Sequence, residues 1–203
     1  MRRLLLVVAA ALAATAAVAA AKDSYRTHTV PNDGITLALP SSWKAIDFRQ
    51  ALKPGVVADL AKKNPELAGS LQAMTKPNSP VKFFAFDPKS VQGFATNSNV
   101  VLTKVPPGVP FATYVQALRS EISGLKSVSG LTLTEVQLPA GRAAKLHYNL
   151  KANVGSRVLT SSTYQYAFLR GTTSTVFTYT TLPPLDSKYG PIFTTSARSI
   201  HFG

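Results

Sequence analysis

The segment from Leu131 to Thr181 constrains the fold most, because it reads as consecutive strands joined by tight connections. In its centre, apolar and polar residues alternate, with Ala144, Leu146, Tyr148 and Leu150 opposed to Lys145, His147, Asn149 and Lys151. Such alternation is typical of a strand with one buried face. The stretches 158–169 and 175–180, separated by Gly171, are rich in β-branched and aromatic residues. The sequence therefore predicts an antiparallel meander.

Helical spacing is clearest just before the meander. From Pro110 onward, apolar residues recur every three or four positions, which predicts a helix lying on the sheet. These residues are Phe111, Tyr114, Val115, Leu118, Ile122 and Leu125. A final helix is expected around 188–197, capped by Asp186. The whole order describes one α+β domain, an α/β/α sandwich with a largely antiparallel sheet and flanking helices.

The N-terminal half begins with a predicted β-hairpin, because Asp33-Gly34 supplies the positive φ of a tight turn. The lone Trp43 follows as a lid on the core. Strands are expected at 81–86 and 99–105, with Asp87-Pro88 stopping the first and a loop over 92–98. Residues 48–75 are interpreted as an insertion of two short helices that serve as a lid, a partner surface or a flank of the core.

The first 21 residues are interpreted as a signal peptide, since a cationic start precedes an uncharged run that ends in Ala19-Ala20-Ala21. Cleavage near Ala21 leaves a single domain over residues 22–203 with no transmembrane segment. An uncleaved anchor is the alternative, but the Ala-rich second half contributes little to membrane insertion. We therefore expect a secreted or cell-envelope protein, in the periplasm or the cell wall, and a monomer.

The charge balance is strongly basic. Removing Arg2 and Arg3 from the 22 basic residues leaves 20 against 9 acidic ones, a net charge of +11. This balance favours an anionic partner, either an unknown protein or an anionic envelope component. The cations are dispersed, and no basic run is interleaved with aromatics, so nucleic-acid binding is not expected.

Residues for catalysis or metal binding are sparse. The chain has no cysteine, which excludes disulfides and thiol chemistry. The three histidines are far apart in sequence, and the acids are singletons without ligand spacing. We therefore predict no catalytic residues, no metal and no cofactor, and His147 is interpreted as a surface or groove-lining histidine.

A candidate binding face remains on the meander. Its members are basic or polar residues of one strand and the cations that flank the next strand: Lys145, His147, Lys151, Arg157 and Arg170. If no helix covers this face, it suits an anionic polymer or an acidic partner. An ordinary solvated sheet face is the alternative.

With these residues located, the chain resembles the PsbP-like superfamily. The resemblance lies in Asp33-Gly34 through Trp43, the Pro110 helix, residues 138–143, the aromatic strands from Tyr164 to Tyr179, and the closing segment 193–202. It implies an α/β/α sandwich that serves as a binding or assembly module without catalysis. The photosystem role of some members is not implied, since the sequence carries no thylakoid address.

Three functions follow in order of preference. The first is an exported, non-catalytic binding or accessory module with an unknown partner. The second is a carrier of a lipid or small apolar ligand in the cell envelope, with a cavity beneath the 48–75 helices. The third is a hydrolase that uses His147, which the lack of partner residues disfavours.

Overall fold

A computed structural model describes residues 24–30, 33–46, 62, 79–154 and 157–203 of the chain. They form two antiparallel sheets, two α-helices and one 3-10 turn. The strands are β1 Tyr25–Val30, β2 Ile35–Pro40, β3 Lys44–Ile46, β4 Val81–Val91, β5 Phe94–Lys104, β6 Val128–Leu138, β7 Gly141–Val154, β8 Arg157–Arg170, β9 Thr173–Thr181 and β10 His201–Phe202. The helices are α1 Phe111–Ser123 and α2 Asp186–Arg198, the latter preceded by the 3-10 turn Pro183–Leu185.

The larger sheet has seven strands in the order β3-β4-β5-β9-β8-β7-β6. All six of its neighbouring pairs are antiparallel, and the predicted meander forms its β6 to β9 half. Its strands alternate as expected, so one face of β7 carries Ala144, Leu146 and Tyr148, and the other carries Lys145 and His147. The register His147↔Tyr164↔Tyr179 aligns these faces across β7, β8 and β9.

One face of the larger sheet, the α1 side, packs against α1. The buried centre of this contact is formed by Tyr114 and Val115 of α1 with Ala144, Leu146 and Tyr148 of β7. Phe111 and Leu118 are half-buried and pack around it. The prediction that this helix lies on the sheet is confirmed.

The opposite face, the α2 side, carries the main core. Here the aromatic residues of β8 and β9, including Tyr166 and Phe177, pack against α2 and the three-stranded sheet β1-β2-β10. Trp43 is buried in this cluster, as the sequence predicts, and Ile200 and Phe202 close it. The described residues thus form the predicted sandwich, with α1 on one face and α2 with the small sheet on the other.

The predicted N-terminal hairpin is confirmed. Strands β1 and β2 pair in register from Tyr25↔Pro40 to Val30↔Ile35, and Gly34 has the expected positive φ of 62°. The helical insertion predicted over 48–75 lies outside the described residues, apart from Lys62.

Two predictions in this region are wrong: the end of β4 at Asp87-Pro88 and the loop over 92–98. Strand β4 continues past Asp87-Pro88 to Val91, because a register shift between Phe86 and Ser90 accommodates the proline. The Asp87 carboxylate is 6% exposed and accepts hydrogen bonds from the Tyr189 hydroxyl of α2 (2.8 Å) and the Lys89 N–H (2.9 Å). Residues 94–98, predicted as loop, belong to β5, and the turn is Gln92-Gly93.

The final helix was also predicted with a wrong N-cap. Helix α2 begins at Asp186 itself, Leu185 is the capping position, and no side chain caps the helix. Asp186 instead stands in the first helical turn, where a carboxylate complements the helix dipole. Its side chain accepts a hydrogen bond from Ser162 of β8, in the larger sheet.

Candidate functional site

The predicted binding face lies on the α2 side of the larger sheet, where α2 covers β8 and β9 but leaves part of β7 and β6 open. We call this open part the basic face; it comprises Lys145, His147 and Lys151 of β7 with Thr132 and Thr134 of β6. Both threonines and Lys151 are exposed, while Lys145 and His147 are half-buried. Among the described residues, no helix covers this face on β6 and β7, whereas α2 covers it on β8.

Arg170, one of the two flanking arginines, does not join this face. The two arginines stand at opposite ends of the 14-residue β8, which places their backbones about 40 Å apart at roughly 3.3 Å per residue. Arg170 lies over the ring of Phe202, with 4.4 Å between the guanidinium carbon and the ring centroid. Arg157 opens the strand at the other end, and its side chain lies outside the described residues.

The lysines of the basic face are free of carboxylate partners among the described residues. The ion pair found there is Arg142 with Glu135, on the α1 side, and the other basic side chain close to a carboxylate is His147, beside Asp186. Lys145 Nζ instead lies 5.9 Å from the centroid of the Tyr166 ring, and Lys151 extends into solvent. Unpaired cations beside small hydroxyl side chains give this face an excess of positive charge among the described residues.

At the border between the basic face and α2, the fold brings together an imidazole, a hydroxyl and a carboxylate. Ser162 Oγ lies 2.9 Å from His147 Nε2 and donates a hydrogen bond to Asp186 Oδ2, also at 2.9 Å. His147 Nε2 and Asp186 Oδ2 are 3.9 Å apart. The fold therefore places an acid and a hydroxyl beside His147, which no pattern in the sequence indicates.

The order of these groups does not fit nucleophilic catalysis. In a serine-histidine-aspartate triad the imidazole stands between the hydroxyl and the acid and takes the hydroxyl proton. Here Ser162 stands in the middle and its proton points to a carboxylate, so His147 Nε2 acts as donor. Ser162 is also 0% exposed, which keeps a substrate carbonyl away from its oxygen. The cluster joins the start of α2 to β7 and β8.

Tyr164 completes this cluster. Its ring stacks on the His147 imidazole, with centroids 4.1 Å apart and planes 17° apart. Burial, and then the nearby Asp186 carboxylate, raise the pKa of Tyr164 above its usual value, which keeps the phenol neutral. The stacked ring shields one face of the imidazole and limits its rotation.

The other two histidines lie elsewhere. The His28 ring is 5.6 Å from that of Phe83, and burial, with Arg26 nearby, lowers the pKa of His28. His201 is exposed on β10. Within the described ranges, no group of three or more metal-ligating side chains occurs.

A second concave feature lies on the α1 side. Helix α1 is about 10 Å wide and covers only part of the seven-stranded sheet, so a groove of about 400 Å³ remains between it and β5 and β9. Its floor includes the buried hydrogen bond between Tyr114 Oη and Ser174 Oγ, 2.6 Å long. Apolar side chains of Val101, Leu118 and Val176 line it. No pattern in the sequence predicts this groove, because it depends on where α1 lies across the strands.

No helix among the described residues has both the length and the apolar character needed to cross a membrane. This observation applies to the described ranges only.

No protein-family model matches the sequence, and no curated protein matches it either. Among solved structures, cyanobacterial PsbP (CyanoP) from Synechocystis sp. PCC 6803 is similar at 15% identity and a TM-score of 0.51, over 91% of this chain and 96% of that chain. LpqN, involved in cell envelope biogenesis of Mycobacterium tuberculosis, is similar at 10% identity and a TM-score of 0.53, over 88% and 90%.

The Ran-binding protein Mog1p of Saccharomyces cerevisiae is similar at 9% identity and a TM-score of 0.53, over 89% of this chain and 96% of that chain. At these identities the likeness concerns the fold alone. It extends over most of each chain, so it concerns the whole sandwich rather than a shared hairpin or helix. The chain therefore has the PsbP-like fold that its sequence resembles.

Proposed function

We propose that this protein is an exported, non-catalytic binding module that engages an anionic partner through the basic face. The observation that carries the proposal is the pair Lys145 and Lys151, which project from the open part of the sheet and have no carboxylate partner among the described residues. Solvent-accessible, uncompensated charges of one sign steer and orient a partner of the opposite sign.

Two further observations support a binding role over catalysis. The cluster of His147, Ser162 and Asp186 has the hydroxyl in its centre and fully buried, so it serves as a structural link. Proteins with the same fold include LpqN, involved in cell envelope biogenesis, and the Ran-binding protein Mog1p. An accessory role in the cell envelope is consistent with the predicted signal peptide at residues 1–21.

The test is retention on anionic envelope material. The double variant Lys145→Glu/Lys151→Glu is compared with Lys44→Glu/Lys89→Glu, which changes the net charge equally at two exposed lysines on the opposite half of the sheet. An exposed ion pair contributes about 0.2–1 kcal/mol, and reversal adds repulsion of similar size, so we expect roughly tenfold weaker retention for the first variant. Equal retention of both variants would contradict the proposal.

A second candidate function rests on the groove beside α1. Its volume of about 400 Å³ falls within the range of small-ligand sites, and its mainly apolar lining also includes hydroxyl groups and the side chains of Lys104, Glu121 and Gln165. This supports a carrier of a small apolar ligand. Native mass spectrometry of protein purified from its host tests this function, since a ligand-free mass under gentle conditions counts against it.

A further inference from the structure

Strand β6 is a long sheet edge with no further strand paired to it among the described residues. It has 11 residues, whereas the other edge strands of the described sheets have 6 in β1, 3 in β3 and 2 in β10. Its side chains at Thr132, Thr134, Glu135 and Gln137 are exposed. An edge of this length presents a row of backbone donors and acceptors to which another chain can pair.

The direction of these backbone groups follows from the ladder. The Lys151 N–H donates to the Ser127 carbonyl at 2.9 Å. Because β7 has no bulge, all its odd-numbered residues direct their backbone N–H and C=O groups towards β6. Their partners Thr132 and Thr134 therefore bond inward. The alternate residues of β6, which are Leu133, Glu135 and Gln137, direct their N–H and C=O groups outward.

The protections usual for an exposed edge are sparse in β6. Sheet edges are commonly blocked by lysine, proline or a very short strand. The sequence from Val128 to Leu138 contains neither lysine nor proline. Its one acid, Glu135, is paired with Arg142, and its one register shift, between Ser129 and Thr132, lies near the start and leaves the remainder regular.

The two sides of this edge differ in chemistry. On the α2 side, small threonines separate the edge from Lys145 and His147, one strand further in. An added strand would lie about 9.6 Å from β7, within reach of a lysine side chain across a threonine. On the α1 side, the edge presents half-buried Leu131 and Leu133. Further along the edge, Glu135 and Gln137 lie on the α1 side, and Val136 and Leu138 lie on the α2 side. A strand that matches residues 131–134 therefore alternates acidic and apolar residues.

We propose that β6 binds an extended segment of an acidic partner protein as an eighth strand of the larger sheet. This inference rests on the proposed function and specifies how the anionic partner binds. Backbone hydrogen bonds to Leu133, Glu135 and Gln137 supply affinity, and Lys145 selects acidic residues on the α2 side. Apolar residues of the segment pack beside Leu133, extending the α1-side core.

The experiment uses the isotope-labelled protein and a synthetic peptide of alternating valine and glutamate. We expect the amides of Leu133, Glu135 and Gln137 to exchange with solvent about tenfold more slowly when the peptide is bound. A peptide of alternating valine and lysine, and an acidic peptide with N-methylated valines, should give no protection. Glu135→Pro, which removes an outward N–H, should abolish protection, while Glu135→Thr should retain it.

The outcomes separate the two proposals. If the acidic peptide shifts the signals of Lys145 and Lys151 but leaves the β6 amides unprotected, strand addition is refuted and the proposed anion binding stands. If no signal of the basic face moves, the proposed function fails as well. Protection in the protein alone that rises with protein concentration would show self-pairing of β6 and overturn an acidic partner, as would equal protection by the N-methylated peptide.

Discussion

Replacing Ser162 with alanine tests whether the cluster of His147, Ser162 and Asp186 holds α2 on the sheet. The change removes the hydrogen bond to the Asp186 carboxylate, and hydrogen bonds to charged groups contribute about 1.5–3 kcal/mol to stability. It also removes the hydrogen bond with His147, for which we take the value of a neutral pair, about 0.5–1.5 kcal/mol. The side chains of His147 and Asp186 are 34% and 29% exposed, so water recovers part of this loss. We expect a decrease of about 2 kcal/mol in the free energy of unfolding, or roughly 4–8 °C in Tm for a chain of this size.

Urea denaturation measures this decrease, with the m-value unchanged. The matched control is Thr163→Val at the next residue. The Thr163 hydroxyl is 3% exposed and has no hydrogen-bond partner in the described part of the chain, so its removal should be neutral or stabilising by up to about 1 kcal/mol. If Ser162→Ala costs no more than Thr163→Val, or leaves amide exchange in the first turn of α2 unchanged, the cluster does not anchor the helix.

Two further predictions concern buried tyrosines. Tyr189→Phe removes the donor to the buried Asp87 carboxylate and should cost about 2 kcal/mol by urea denaturation, while an unchanged midpoint would show that this hydrogen bond adds no stability. Burial, and then Glu121, raise the pKa of Tyr148 to about 12, whereas an unfolded tyrosine titrates near 10. Between these values the unfolded chain binds fewer protons, so stability should fall by about 1.4 kcal/mol per pH unit, and Tyr148→Phe should remove that part of the slope. Equal slopes in denaturation series from pH 10 to 12 would refute this assignment.

The meander was predictable because its information is local. Alternation along β7 assigns Leu146 to one face and His147 to the other, and both assignments hold in the structure. Gly34 and Gly171 mark turns with positive φ, where a residue with a side chain is strained. Each of these signals lies within a few residues of the feature that it predicts.

Strands β4 and β5 were less predictable, because their residues break the usual rules for reasons that depend on tertiary contacts. Pro88 sits at an irregularity of β4 rather than at its end. The polar residues Thr96 and Asn97 resemble a loop, yet both are buried, with Thr96 hydrogen-bonded to Thr181 at 2.9 Å and Asn97 Nδ2 to the Ala95 carbonyl at 3.0 Å. Burial of a satisfied polar group leaves no mark in the local sequence.

The candidate site divides in the same way. Lys145, His147 and Lys151 could be placed on one face from the period of two, while Arg170 lies on the same side but at the far end of its own strand. Ser162 was not predictable as the partner of His147, because 15 residues separate them and contact depends on the β7–β8 register. The position of Asp186 beside Ser162 and His147 depends on the residue at which α2 begins.

The small sheet is built from both termini of the described domain. Strand β2 pairs with β10, the Ala38 N–H donates to Ser199 Oγ at 2.7 Å, and the Gly203 N–H donates to the Gly34 carbonyl at 2.8 Å. Bringing such distant segments together has a large closure entropy, which the buried aromatic cluster must offset. In the N-terminal hairpin, β2 therefore lacks its second neighbouring strand until residues 199–203 fold against it. Until this pairing forms, Ile200 and Phe202 do not cover their part of the aromatic cluster.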